Sequence, residues 1–244
     1  MSLEIRSLEI RSLEIMLLET IEHETAASPQ YTVLWLHGLG ADGNDFAPIV
    51  PELVRRDWPA LRFVFPHAPV RAVTINGGAR MRAWYDIRDV SFADHGGAGR
   101  ADDAGVDESV AQVEALIARE VANGTPASRI FLAGFSQGGA IALAAGVRRR
   151  EPLAGLIGLS TYLPAANEAT QVLVARANTQ PVFMAHGIQD PVVPYGAGEL
   201  SAARMRELGF SVEWHRYPMP HSVCAEEIRD LGDWMSGRFA AAPA

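Results

Sequence analysis

A single cysteine, Cys224, excludes an intrachain disulfide and fits a reducing compartment, so the expected location is the cytoplasm. Long apolar runs are also missing. The longest, such as Ala140 to Val147, fall well short of the ~18 residues that a membrane-spanning helix needs, and no stable membrane association is expected. Positive charge is in deficit, with Lys+Arg 21 against Asp+Glu 29 and a formal net charge of −8. That balance repels phosphate backbones and excludes nucleic acid as an expected partner. Recognisable metal-ligand spacing is absent as well: His37, Asp42 and Asp45 lie close in sequence but match no known ligand pattern, so no metal is expected. What is present is ordinary globular material, and 48% hydrophobic residues with 20% charged ones are enough for one well-buried core.

The first residues repeat. Ser-Leu-Glu-Ile-Arg occurs at Ser2 to Arg6 and again at Ser7 to Arg11, and Ser12 to Ile15 begins a third copy. A period of five matches no repeat fold, and the stretch lacks the basic start and cleavage site of a secretory signal. Residues 1–15 therefore read as an appended extension with Met16 the native start, and residues 16–244 as one domain.

From Tyr31 onward, short apolar runs alternate with longer helical patterns, the signature of a mostly parallel central sheet with helices on both faces. Expected strands are Thr32–Leu36, Arg62–Phe65, Ile130–Ala133, Leu156–Leu159, Val182–Ala185 and Ser211–Arg216, most of them apolar on both faces. Expected helices are Asp45–Arg55, Asp102–Ala122, Gly138–Arg149, Gly198–Leu208 and Ala225–Arg238. In the second, Val106, Val110, Val113, Leu116, Ile117 and Val121 form one apolar stripe. Val70–Gly99 and Thr161–Thr179 take no regular assignment, and long irregular stretches of this kind usually border sites.

The chemistry is concentrated where an apolar strand runs into Gly134-Phe-Ser136-Gln-Gly138 and then into a small-residue helix. A serine on such a tight strand-to-helix turn stands exposed at a helix N-terminus, and side chains at the flanking glycine positions would collide with backbone. Its weak hydroxyl needs a general base, and the base needs an acid to fix its tautomer. Asp190 follows the strand Val182–Ala185, and His221 lies in a loop after the strand Ser211–Arg216, which gives the order Ser, Asp, His expected of this elbow. His215 sits inside a strand pattern, His67 and His186 sit at strand ends, and His23 and His95 precede or interrupt the regular region. Cys224 has no elbow and is a poorer nucleophile. The glycine-rich run His37-Gly-Leu-Gly-Ala-Asp-Gly43 after the first expected strand can turn backbone N–H groups toward a developing oxyanion, one from Leu39 beside that of Gln137.

These segments, with Pro66-His-Ala-Pro-Val-Arg71, Val73-Thr-Ile-Asn76 and Met81-Arg-Ala-Trp-Tyr-Asp86, resemble in order the α/β-hydrolase family of small carboxylesterases, lysophospholipases and acyl-protein thioesterases. The resemblance covers essentially Tyr31 to the end. It implies an α/β-hydrolase fold, no cofactor, a triad of Ser136, Asp190 and His221, and an oxyanion hole at Leu39 and Gln137. It also implies that Trp84 and Leu163 border the acyl pocket, and it admits a homodimer, since several bacterial members are dimers. Thr161-Tyr162 stands where the family often has Cys-Trp, so acyl-chain length stays open. The implied activity is hydrolysis of short- to medium-chain carboxylic esters, a small-molecule substrate class, through an acyl-enzyme. Thioesters and lysophospholipids are alternatives. An acyltransferase and a non-catalytic ligand-binding relative of the same fold are the rival readings.

Overall fold

The computed structural model describes residues 17–88, 102–164 and 180–241. Among the described residues, seven strands form one sheet, in the spatial order β1 (Thr20–Glu24), β3 (Leu61–Pro66), β2 (Tyr31–Leu36), β6 (Ile130–Phe135), β7 (Gly155–Leu159), β8 (Pro181–Gly187) and β9 (Ser211–Tyr217), and β4 (Val70–Val73) and β5 (Ala79–Arg82) form a separate hairpin. The six expected strands all appear, as β2, β3, β6, β7, β8 and β9, each longer by one to three residues. Within the seven-stranded sheet these six pair in parallel, and β1 runs antiparallel to β3.

Side-chain alternation along the buried strands splits the core in two. On β2, Leu34 and Leu36 join the cluster with α2 (Asp103–Ala122), α3 (Gln137–Arg148) and α4 (Tyr195–Glu207). Val33 and Trp35 point the other way, into the cluster with α1 (Val50–Leu53) and α5 (Ala225–Ala241). A strand covered on both faces must be apolar at every position, and β2 is buried throughout.

Three expectations need correction. The helix expected over Asp45–Arg55 shrinks to a 3-10 turn, Ala47–Ile49, and the single-turn α1, because Pro48 and Pro51 remove the N–H donors that a continuous helix would use. In the α2 stripe Val121 is 43% exposed, because it lies in the last turn of the helix, while the other five residues are buried. Part of Val70–Gly99 is regular after all: β4 (Val70–Val73) and β5 (Ala79–Arg82) pair around Gly77 and Gly78, both at positive φ, which glycine adopts without strain. The rest of that stretch beyond residue 88, the expected extension over residues 1–15, residues 165–179 and His95 lie outside the described residues.

The chain steps from β2 outward to β3 and then returns to place β6 on the other side of β2. The strand ends of β2 and β6 therefore flank a topological switch point, where open parallel sheets form their ligand crevices. No helix among the described residues is long and apolar enough to cross a membrane.

Candidate active site

Ser136 occupies the turn between β6 and α3 with φ 53° and ψ −121°, a strained backbone for a residue with a side chain. The flanking glycines permit that turn. A Cβ at Gly134 would lie 2.4 Å from the Gly138 backbone, and one at Gly138 would lie 2.4 Å from the carbonyl oxygen of Leu36. Two hydrogen bonds from β7 and its C-terminal loop hold the strained residue: the Ser136 N–H donates to Leu159 O at 2.9 Å, and Thr161 Oγ1 donates to Ser136 O at 2.6 Å. Ser136 O also accepts the Ala140 N–H at 3.0 Å, so Thr161→Val removes one of the carbonyl's two partners and is expected to cost about 0.5–1.5 kcal/mol in urea unfolding. An unchanged midpoint would show that Thr161 does not brace the turn.

His221, in the loop between β9 and α5, places Nε2 2.9 Å from Ser136 Oγ and Nδ1 2.7 Å from Asp190 Oδ2. An Nδ1–H donating to the carboxylate leaves Nε2 as acceptor for the serine proton, the tautomer a general base requires. The Phe135 ring packs against the imidazole at 4.7 Å. Asp190, beyond β8, is fixed at its other oxygen, where Oδ1 accepts from the N–H groups of Val192 at 2.8 Å and Val193 at 2.9 Å. Burial pushes its carboxyl pKa up, but His186, His221 and the two N–H donors outweigh that and hold it well below the usual carboxylate range. The carboxylate is therefore charged across the working range of the site.

His186 was not among the expected site residues, yet it backs Asp190 directly. It is fully buried; Nε2 lies 2.9 Å from Val193 O and 3.4 Å from Asp190 Oδ2. Its place at a strand end four residues before Asp190 was the available signal.

The oxyanion-hole candidates sit on the neighbouring turn. Among the described residues the backbone N–H groups of Leu39 and Gln137 make no hydrogen bond, whereas Gly40 N–H donates to Arg82 O at 2.9 Å. A web of buried contacts locks this loop to the elbow. The Gln137 side chain accepts from Trp84 N–H at 2.9 Å and donates to Tyr85 O at 2.8 Å, and Trp84 Nε1 donates to His37 O at 2.8 Å. His37 donates from Nδ1 to Gly38 O at 2.7 Å and accepts the Ala68 N–H at Nε2 at 3.0 Å. Burial holds the His37 pKa below the usual histidine value, and the neutral ring is the form that can do both.

A strand-turn-helix serine with a histidine and a buried carboxylate in line is a geometry found on several unrelated folds. Comparison with known proteins decides between them. Residues 19–237 match the family model described as Phospholipase/Carboxylesterase. The chain belongs to the phospholipase/carboxylesterase family. It is 37% identical to acyl-protein thioesterase 1 of Neurospora crassa over 212 residues, covering 85% of this chain and 86% of that one. It is 32% identical to carboxylesterase SOBER1 of Arabidopsis thaliana over 208 residues, covering 85% and 90%. The crystal structure of SOBER1 superposes with a TM-score of 0.77, 31% identity and coverage of 85% and 98%. That of esterase PE8 superposes with a TM-score of 0.75, 26% identity and coverage of 91% and 99%. The α/β-hydrolase fold expected from the sequence is the fold of these relatives.

The other two site candidates occupy different surroundings. Trp84 has no exposed surface and braces the His37 carbonyl, so it lies behind the loop that carries Leu39. Leu163 is 7% exposed past the end of β7, and its N–H donates to Ser201 Oγ at 2.9 Å. The structure thus places Ser136, Asp190 and His221 beyond the C-terminal ends of β6, β8 and β9, and these two apolar side chains in the core on the α2/α3/α4 side.

Proposed function

We propose that this carboxylic ester hydrolase is a serine carboxylesterase acting on short- to medium-chain carboxylic esters through an acyl-enzyme on Ser136. The single observation that carries the reading is the continuous line from Ser136 Oγ through His221 to Asp190, with spacings of 2.9 and 2.7 Å. His221 Nε2 takes the hydroxyl proton as Oγ forms a bond to the acyl carbon. The oxyanion lies against the N–H groups of Leu39 and Gln137, whose freedom from other partners among the described residues supports that role. The proton then passes from Nε2 to the leaving oxygen as its bond to carbon breaks. Water repeats the sequence in reverse roles: His221 removes its proton, the hydroxide attacks the acyl carbon, and Ser136 Oγ leaves with the proton returned.

Thioesters follow the same path with sulfur as the leaving atom, and the relatives named acyl-protein thioesterase support that second substrate class. The apolar Leu163 is read as part of the acyl pocket, and Trp84 as the side chain that holds its neighbouring loop in place. Residues 16–244 are read as one catalytic domain, supported by a single sheet running from β1 to β9. The free Cys224 supports a reducing, cytoplasmic setting.

The test is hydrolysis of p-nitrophenyl esters from acetate to laurate, together with labelling by a fluorophosphonate probe. We expect turnover with an optimum in the short to medium range and a label on Ser136. Turnover confined to a strongly charged substrate would overturn the substrate class, and a label elsewhere would overturn the nucleophile.

A further inference from the structure

A cavity of about 750 Å³ opens on the α1/α5 side of the sheet, against the triad. Its floor is apolar, with Phe46, Ile49 and Ile228 each no more than 8% exposed, and Phe135 and Val223 contribute to its walls. Charge is confined to exposed residues at the rim: Asp45, Glu52 and Arg229. His221 is part of the lining, whereas Ser136, Leu39 and Leu163 are not. Leu163 belongs to the core cluster on the opposite side of the sheet. Phe135, tilted against the imidazole with ring centroids 4.7 Å apart, joins the cavity to the catalytic line.

Four groups diverge from the tetrahedral acyl carbon: Ser136 Oγ, the oxyanion, the acyl chain and the leaving oxygen or sulfur. Only the leaving atom must come within hydrogen-bond reach of His221 Nε2, because that nitrogen delivers to it the proton taken from Ser136 as the bond to carbon breaks. A group departing past His221 enters the space that His221 borders. We infer that this cavity is the leaving-group subsite, and that it selects esters or thioesters whose alcohol or thiol part is apolar. The acyl chain then runs toward the Leu163 side. The inference rests on the triad reading above and adds which end of the substrate this cavity holds. Its volume suits a small-molecule moiety as large as a bicyclic aromatic.

The experiment compares kcat/KM for ethyl acetate and naphthylethyl acetate, whose alkoxides are similarly poor leaving groups, and for ethyl esters of increasing acyl length. The ratio of naphthylethyl to ethyl acetate should be about tenfold or more in the parent, because burying the ring stabilises the transition state only where an apolar site exists. Val223→Trp, which fills the wall, and Ala225→Trp, which occludes the mouth from an exposed position, should each reduce that ratio about tenfold or more and leave the acyl-length profile in place. A parent ratio near unity would overturn the inference even if both variants failed to fold. So would variants that shift the acyl-length optimum while keeping the alcohol ratio, since the cavity would then hold the acyl chain. Failure of the triad reading looks different: neither acetate is hydrolysed and Ser136 takes no fluorophosphonate label, which overturns both.

Discussion

Replacing Ser136 by Ala is expected to lower kcat for p-nitrophenyl esters about a millionfold, the scale on which serine hydrolases lose turnover when the nucleophile is removed. The size of the effect follows from the geometry. His221 Nε2 has its hydrogen bond to Ser136 Oγ and Nδ1 is committed to Asp190, so removing Oγ leaves a base with no bound group to activate. Residual hydrolysis then comes from the oxyanion donors and from water alone. The substitution also separates chemistry from folding. Ala carries the same Cβ as Ser, so the backbone at φ 53° is no more strained than before, and the N–H and carbonyl that tie the residue to Leu159 and Thr161 are retained. The variant should melt close to the parent. A rate within about tenfold of the parent's would remove Ser136 from the mechanism and bring the non-catalytic reading forward.

That Ser136 stands out in the sequence as a candidate nucleophile reflects how local the constraints on its turn are. Gly134 and Gly138 are required by close backbone approaches within one turn, and the apolar β6 before them and small-residue α3 after them have different periodicities. Asp190 and His221 were legible through chain order, since each follows the end of a strand that is itself plain in the pattern. What could not be read are features made by distant segments meeting. The strand β1, Thr-Ile-Glu-His-Glu, has no apolar run because it is a half-exposed edge; the Arg62 guanidinium, 2.5 Å from Glu22 and 2.8 Å from Glu24, helps hold it to β3. The helix expected from Asp45 had the right apolar spacing, but the periodicity gave no weight to the two prolines that break it. The cavity beside His221 is assembled from the segment around α1 and the start of α5, and neither carries a local sign of it. Trp84 likewise reads as a pocket residue by resemblance, and only the fold reveals that its indole donates to the His37 carbonyl of the loop that carries Leu39.

The second large expected effect concerns Glu227 on α5, one helical turn beyond Cys224. Its side chain has no exposed surface, and neither carboxyl oxygen has a hydrogen-bond partner. Burial pushes its pKa up from the ordinary 4.5 to about 8, with the charge of Asp230 adding in the same direction. The Cys224 N–H pulls the other way without reaching hydrogen-bond geometry. Between those two values the folded protein keeps a proton that the unfolded chain has lost, so stability is full below the lower value and falls as pH rises toward the upper one. From pH 5 to pH 8 the loss attributable to this one group is about 3 kcal/mol, a large fraction of the stability of an ordinary domain. Glu227→Gln keeps the shape and removes the titration. In urea unfolding, the stability of the variant minus that of the parent should therefore grow by about 3 kcal/mol across that interval, with contributions from all other titrating groups cancelling in the difference. Parallel pH profiles would mean that the carboxyl finds a partner or water in the folded state. The consequence reaches the active site, because α5 begins directly after the loop that carries His221. A charge forced into its first turns loosens the anchor of the catalytic base, so the parent should lose esterase activity at alkaline pH faster than Glu227→Gln, measured after incubation at matched temperature.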